Sequence, residues 1–213
     1  ALEWTKGQQT KLGSSSGEES EEATQEDRER KIYQALEAQL LMIGSRNDRS
    51  RQDLYRARDR AISAQKIFAD IGEKVAHAQA TAQLGMIELA DGKNNAALER
   101  AKEAEALSEH ANILAMIHSI RAHVAQRESK LTDAIEQFSL ANRKAGEVGN
   151  APLALESGLK LGECLLMNKQ YPQAADVLRQ IGGMAQQTRN PVIERASCDM
   201  LAKAHASTKQ FEA

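Results

Sequence analysis

The chain has 213 residues, of which 41% are hydrophobic and 27% charged, a balance that excludes a disordered polymer and leaves enough apolar surface for a sizeable core. A formal net charge of -2 with both signs interspersed excludes a global basic field for nucleic acid or anionic lipid. Aromatic residues make up 3%, so the core is built from Ala, Leu, Ile and Met, which favours closely packed helices over a β-sandwich.

Residues 1–23 form the first predicted segment, rich in Gly, Ser and acidic residues without a sustained apolar period, which reads as a flexible tail, with Trp4, beside Leu2 and Leu12, as the exception. Thr24 followed by Asp27 resembles a capping box ahead of Ile32, Ala35, Leu36, Leu40 and Ile43, so a helix is expected from there to Gly44. The polar stretch "GSRNDRS" then reads as a connection, followed by a second helix through Leu54, Ala57, Ala61, Ala64 and Phe68.

From this point the pattern recurs. Ala57, Ala97, Ala134 and Ala174 open successive second helices and lie 40, 37 and 40 residues apart, the signature of a helical solenoid. In two copies the preceding helix carries Leu-Gly thirteen residues earlier, at Leu84-Gly85 and Leu161-Gly162; the glycines and alanines let helix backbones approach. Pro172 falls in the first turn of a second helix, where its missing N–H breaks no intrahelical bond. Gly72, Gly149 and Asn190 punctuate the joins between hairpins. The expected architecture over residues 24–213 is an all-α solenoid of about five hairpins, the last incomplete, with further repeats expected beyond Ala213 because one hairpin alone buries too little surface.

Leu-Gly in the first helix, with Leu131, Tyr171 or Phe211 opening the second and Ala three positions later in the complete copies, resembles the tetratricopeptide repeat (TPR) family. The resemblance covers roughly residues 51–213, at a period nearer forty residues than the family's thirty-four. It implies a right-handed superhelix whose first helices line a concave groove that takes a peptide or a partner's helix. At the positions where chaperone-binding members clamp a peptide's terminal carboxylate, this sequence has Ala82, Met86, Ile120, Glu156 and Lys160, which argues against chaperone C-terminal tails as ligands. The residues the resemblance assigns to the groove are Gln79, Met86, Ser119, His123, Gln126, Glu156, Glu163 and Met167.

Catalytic signatures are missing: there is no GxSxG, Walker-type GxxxxGK, HExxH or GxGxxG. His118 and His123, five residues apart, point about 140° away from each other around a helix and do not face one metal. The chain is therefore expected to be non-enzymatic, with no metal and no cofactor. Arg46–Arg60 is the strongest charge feature; its Arg51, Arg56 and Arg58 form a candidate basic patch, but Asp48, Asp53 and Asp59 oppose it and Tyr55 alone is available for stacking. Cys164 and Cys198 lie in helical patterns outside any CxxC motif and read as buried free thiols. With no apolar run of the roughly 18 to 20 residues that span a bilayer and no secretory stretch at the N-terminus, the expected setting is a reducing, cytoplasmic one.

The function expected from all this is a scaffold for protein partners within a multiprotein assembly. A peptide-sensing module attached to an effector domain, or RNA binding through the Arg46–Arg60 stretch, are the alternatives.

Overall fold

In the computed structural model the backbone is described for residues 2–211 and the side chains for 24–208. Nine α-helices follow one another among the described residues, with no strand. They are α1 (Leu2–Ser50), α2 (Leu54–Asp70), α3 (Lys74–Ala90), α4 (Asn94–Leu107), α5 (Ala111–Arg127), α6 (Leu131–Glu147), α7 (Ala151–Met167), α8 (Tyr171–Gln187) and α9 (Pro191–Phe211).

Consecutive helices pack on one another, and beyond them, among the described residues, only the odd-numbered ones touch, α1 on α3, α3 on α5, α5 on α7 and α7 on α9. The odd helices therefore form an inner layer and α2, α4, α6 and α8 an outer one, the arrangement of a TPR-like solenoid. Sandwiching explains why α3, α5 and α7 are buried over most of their circumference, whereas α4 buries only Ala97, Ala101 and Ala104.

Helix and turn lengths account for the repeat. Six helices, α2, α3 and α5 to α8, have 17 residues each and are separated by three-residue turns, so the unit is a 20-residue step used twice per hairpin. α4 has 14 residues, which is the origin of the single 37-residue spacing. It ends at an extended Ser108 (φ −162°, ψ 137°) instead of a left-handed residue, and beside it α3 and α5 pack more extensively than any other inner pair among the described residues.

The other seven turns are of one kind. A left-handed residue sits at each, and the following N–H returns to the carbonyl five residues back, as in Lys93 N to Glu88 O (2.9 Å) and Gln170 N to Leu165 O (2.9 Å). Glycine occupies three of these positions, Gly72, Gly92 and Gly149; Gln52, Ser129, Lys169 and Arg189 adopt the same conformation at φ between 53° and 64°. Pro172 lies in the first turn of α8, as the sequence predicts, and Pro152 takes the same place in α7.

Glycines inside the inner helices permit close approach. A Cβ on Gly85 would lie 2.8 Å from Ile120 Cδ1 and 3.3 Å from the Ala97 carbonyl, and one on Gly162 would lie 2.5 Å from Leu178 Cδ2.

Several expectations are corrected. α1 does not stop at Gly44, which lacks the positive φ of a helix stop; it continues through "GSRNDRS" to Ser50 because α2 packs there, with Arg60 over Gly44 and Ser45 Oγ donating to the Ala57 carbonyl at 2.7 Å. Thr24 lies within α1, so its box with Asp27 is not a helix start; Asp27 instead pairs with Arg30 and Lys31. Phe211 lies within α9, continuous with the helix that begins at Pro191, and not at the first position of a new helix. Cys198 is exposed, because α9 has α8 and α7 as its only neighbours among the described residues, while Cys164 is buried; both are free thiols. The expectation for residues 1–23, Trp4 included, rests on side chains outside the described ones.

Candidate functional site

A cavity of about 230 Å³ opens on the inner layer where α3 and α5 meet, flanked by α1 and the start of α7. Its floor is apolar and comes from Met42, Met86, Met116 and Leu153, all buried. Methionine is well suited to such a floor, since its unbranched thioether chain repacks around different contacts at small cost.

Polar groups surround this floor. Arg46 and Arg49 reach it from α1, Gln79 and Gln83 from α3, and Glu156 from α7. Asn150 Nδ2 donates to Asn112 Oδ1 at 2.7 Å, and the Asn150 Oδ1 accepts from Leu153 N, so this pair locks the starts of α5 and α7 beside the cavity. A second cavity of about 260 Å³ adjoins the first, sharing Met42, Arg46 and Gln79 and extending over Ile43, Phe68 and Ala76. Together they make a groove crossing the inner helices.

Of the residues assigned to a groove from the sequence, Gln79, Met86 and Glu156 line this cavity. Ser119 does not: it is fully buried in α5, and its hydroxyl has no partner among the described residues. His123 lies farther along α5, edge-on to Phe138 at 4.9 Å, and burial, with Lys160 and Arg127 nearby, lowers its pKa to about 4. Glu163 is paired with Lys160 at 2.6 Å, Gln126 is half-buried and Met167 is exposed; none of these lines the cavity. Residues missed from the sequence are Arg46 and Arg49, lost when Gly44 was read as a stop, together with Met42, Gln83, Asn112, Met116 and Asn150. Continuing the α3 register one turn from Gln79 reaches Gln83, and continuing the α5 register one and two turns back from Ser119 reaches Met116 and Asn112.

The candidate basic patch is not one surface. Arg58 binds Glu88 through both nitrogens at 3.0 and 3.1 Å and Asp91 at 2.9 Å, tying α2 to α3, and these hydrogen bonds raise its already high pKa. Arg56 pairs with Asp53 at 3.4 Å, and Arg51 is exposed. Glu105 accepts from Arg121 at 2.6 Å and joins α4 to α5, and this hydrogen bond lowers its pKa. Among the described residues no three His, Cys, Asp or Glu side chains are grouped to hold a metal, and no helix is long and apolar enough to cross a membrane.

No protein-family model and no curated protein matches the chain. Solved structures do. The apo form of RapI aligns with 83% of this chain at TM-score 0.60 and 15% identity, and a set of kinesin-light-chain TPR-like repeats from Podosopora anserina aligns with 82% of it at TM-score 0.57 and 20% identity. Aspartyl phosphate phosphatase F from Bacillus subtilis aligns with 87% at TM-score 0.57 and 13% identity. The alignment spans 88% of the kinesin-light-chain repeats but only about half the length of RapI (50%) and of the phosphatase (54%). At these identities the likeness establishes the fold, which is that of the TPR-like repeat proteins.

Proposed function

We propose that this TPR-like chain is a non-enzymatic interaction scaffold whose inner layer holds a peptide or helix of a protein partner within a larger assembly. The observation that carries this reading is the groove itself: one apolar floor with a polar rim, assembled from four separate helices α1, α3, α5 and α7. Such a surface exists only in the stacked array, and it offers apolar contact together with fixed hydrogen-bonding groups, the combination that peptide recognition uses. The commitment of Arg58 to Glu88 and Asp91 weighs against RNA binding through the Arg46–Arg60 stretch, because its guanidinium is already occupied.

A second reading, a peptide-sensing module that regulates an attached effector domain, draws on RapI and the phosphatase, each about twice the length that aligns here. Both readings place the partner in the same groove.

The test is quantitative affinity capture with three proteins: the wild type, Gln79→Trp, which fills the cavity from a half-buried rim position, and Ser139→Trp on the exposed surface of α6. The groove reading expects partners lost by the first variant and kept by the second. Equal retention by both would remove it.

A further inference from the structure

We propose that the groove takes an extended acidic segment of a partner chain, with an internal Asp or Glu carboxylate held by Arg46 and Arg49 and a neighbouring apolar side chain seated on the methionine floor. This deepens the scaffold reading and rests on it.

Hydrogen-bond accounting comes first. Gln83 is only 2% exposed, lines the cavity, and its Nε2 has no partner among the described residues. Arg49 Nε is likewise buried without a partner beside the same cavity. A buried donor left unpaired is destabilising, so both groups favour a ligand that brings acceptor oxygens into the cavity. Carboxylate and backbone carbonyl oxygens are such acceptors.

Charge points the same way. Arg58, Arg60 and Arg121 each pair with a carboxylate contributed by a neighbouring helix or its end. Arg46 and Arg49, one helical turn apart at i and i+3, enter no ion pair among the described residues, and neither does Glu156 on the opposite wall. Two cations against one anion leave the rim with a net positive charge. The single carboxylate suits a backbone N–H, and the two guanidiniums suit a carboxylate, which Arg recognises in a bidentate geometry.

The course of the groove identifies an internal carboxylate as the source. Arg46 borders both cavities, and the second continues past it over Ile43 and Phe68. A chain held at Arg46 therefore has a seat on either side. In an extended segment alternate side chains share one face, so two apolar side chains can address the two cavities while the residue between them turns to the polar rim that Arg46 and Arg49 occupy.

The experiment is fluorescence anisotropy with labelled nine-residue peptide pools, all amidated at the C-terminus, in which Leu or Met alternates with Asp or Glu, with Gln, or with Lys. A fourth pool repeats the Gln series with a free C-terminal carboxylate. Binding of the acidic pool at least about tenfold tighter than the Gln pool is expected, with that preference abolished by Arg46→Glu combined with Arg49→Glu and unchanged by Arg143→Glu on α6. Thermal melts confirm that each variant is folded, and the milder Arg46→Gln with Arg49→Gln pair should lose the acidic preference while retaining the fold.

Equal or better binding of the Gln or Lys pool, lost in Gln79→Trp, would overturn the acidic assignment and leave the groove reading standing. Preference for the free-acid pool would overturn the internal-segment assignment. Absence of binding by every pool would overturn the inference, and the separate capture comparison would then decide the scaffold reading.

Discussion

Gly162→Ala and Gly183→Ala make the same chemical change in the middle of two neighbouring helices and are expected to move stability in opposite directions. Replacing glycine by alanine in a helix interior gains about 1 kcal/mol from reduced backbone freedom. At Gly183 a new Cβ meets nothing within 4 Å, so that gain is kept. At Gly162 the Cβ would stand 2.5 Å from Leu178 Cδ2 and 2.7 Å from its Cγ. Leu178 is 1% exposed, and its branch carbon cannot retreat without moving the whole side chain into neighbouring packing. Overpacking of this kind costs about 1–3 kcal/mol, which outweighs the propensity gain. For a domain of this length 1 kcal/mol corresponds to roughly 2–4 °C, so Gly183→Ala raises the melting temperature by a few degrees and Gly162→Ala lowers it. Urea and thermal unfolding followed by circular dichroism read both. Leu178→Ala also becomes less costly in the Gly162→Ala background than in the wild type, since it vacates the contested space. An equal rise for both glycine variants, or a Leu178→Ala cost independent of background, would refute the close-approach argument.

Further outcomes follow from individual sites. A maleimide added to the native protein labels the exposed Cys198, whereas Cys164, whose thiol pKa burial and then Glu163 push up to about 11, reacts only after unfolding; comparable native rates would contradict its placement. His123, with a native pKa of about 4 against 6.5 for a free imidazole, stays neutral while the unfolded chain takes up a proton, so its contribution is undiminished above pH 6.5 and is lost as pH falls toward 4, amounting to about 3 kcal/mol. The stability difference between wild type and His123→Phe should carry that slope, and an imidazole signal titrating near 6.5 in the folded protein would contradict it. Lys169→Gly relieves a left-handed lysine at φ 59° and should stabilise by about 1 kcal/mol, while Gly92→Ala at φ 77° should destabilise by a similar amount, both read from unfolding midpoints.

The hairpins were legible because their determinants are local and repeated. Leu84-Gly85 and Leu161-Gly162 mark inner helices, and Pro172 marks a helix start whichever hairpin follows. The turns were legible where glycine fills them or where Pro172 and Asn190 flank them, but the left-handed residues Gln52, Ser129, Lys169 and Arg189 carry no compositional signal of their own, because helix packing on both sides imposes the conformation. Gly44 misled for the converse reason. Its glycine serves Arg60 and the approach of α2, not a turn, and reading it as a stop removed Arg46 and Arg49 from the helix that carries them to the groove. Gln79, Met86 and Glu156 were found because they share the inner face by register. Ser119 shares that face in register but is closed off, since α3 and α5 pack closely where α4 is short.

The central claim is that the inner layer, not the outer one, holds the partner. A photo-crosslinking amino acid placed at Gln79 in one protein and at Ser139 in another, each irradiated in cells or lysate and analysed by mass spectrometry, tests it most directly. The account predicts a partner joined through position 79 and absent at position 139. The same partner captured through position 139 and not through 79 would contradict it.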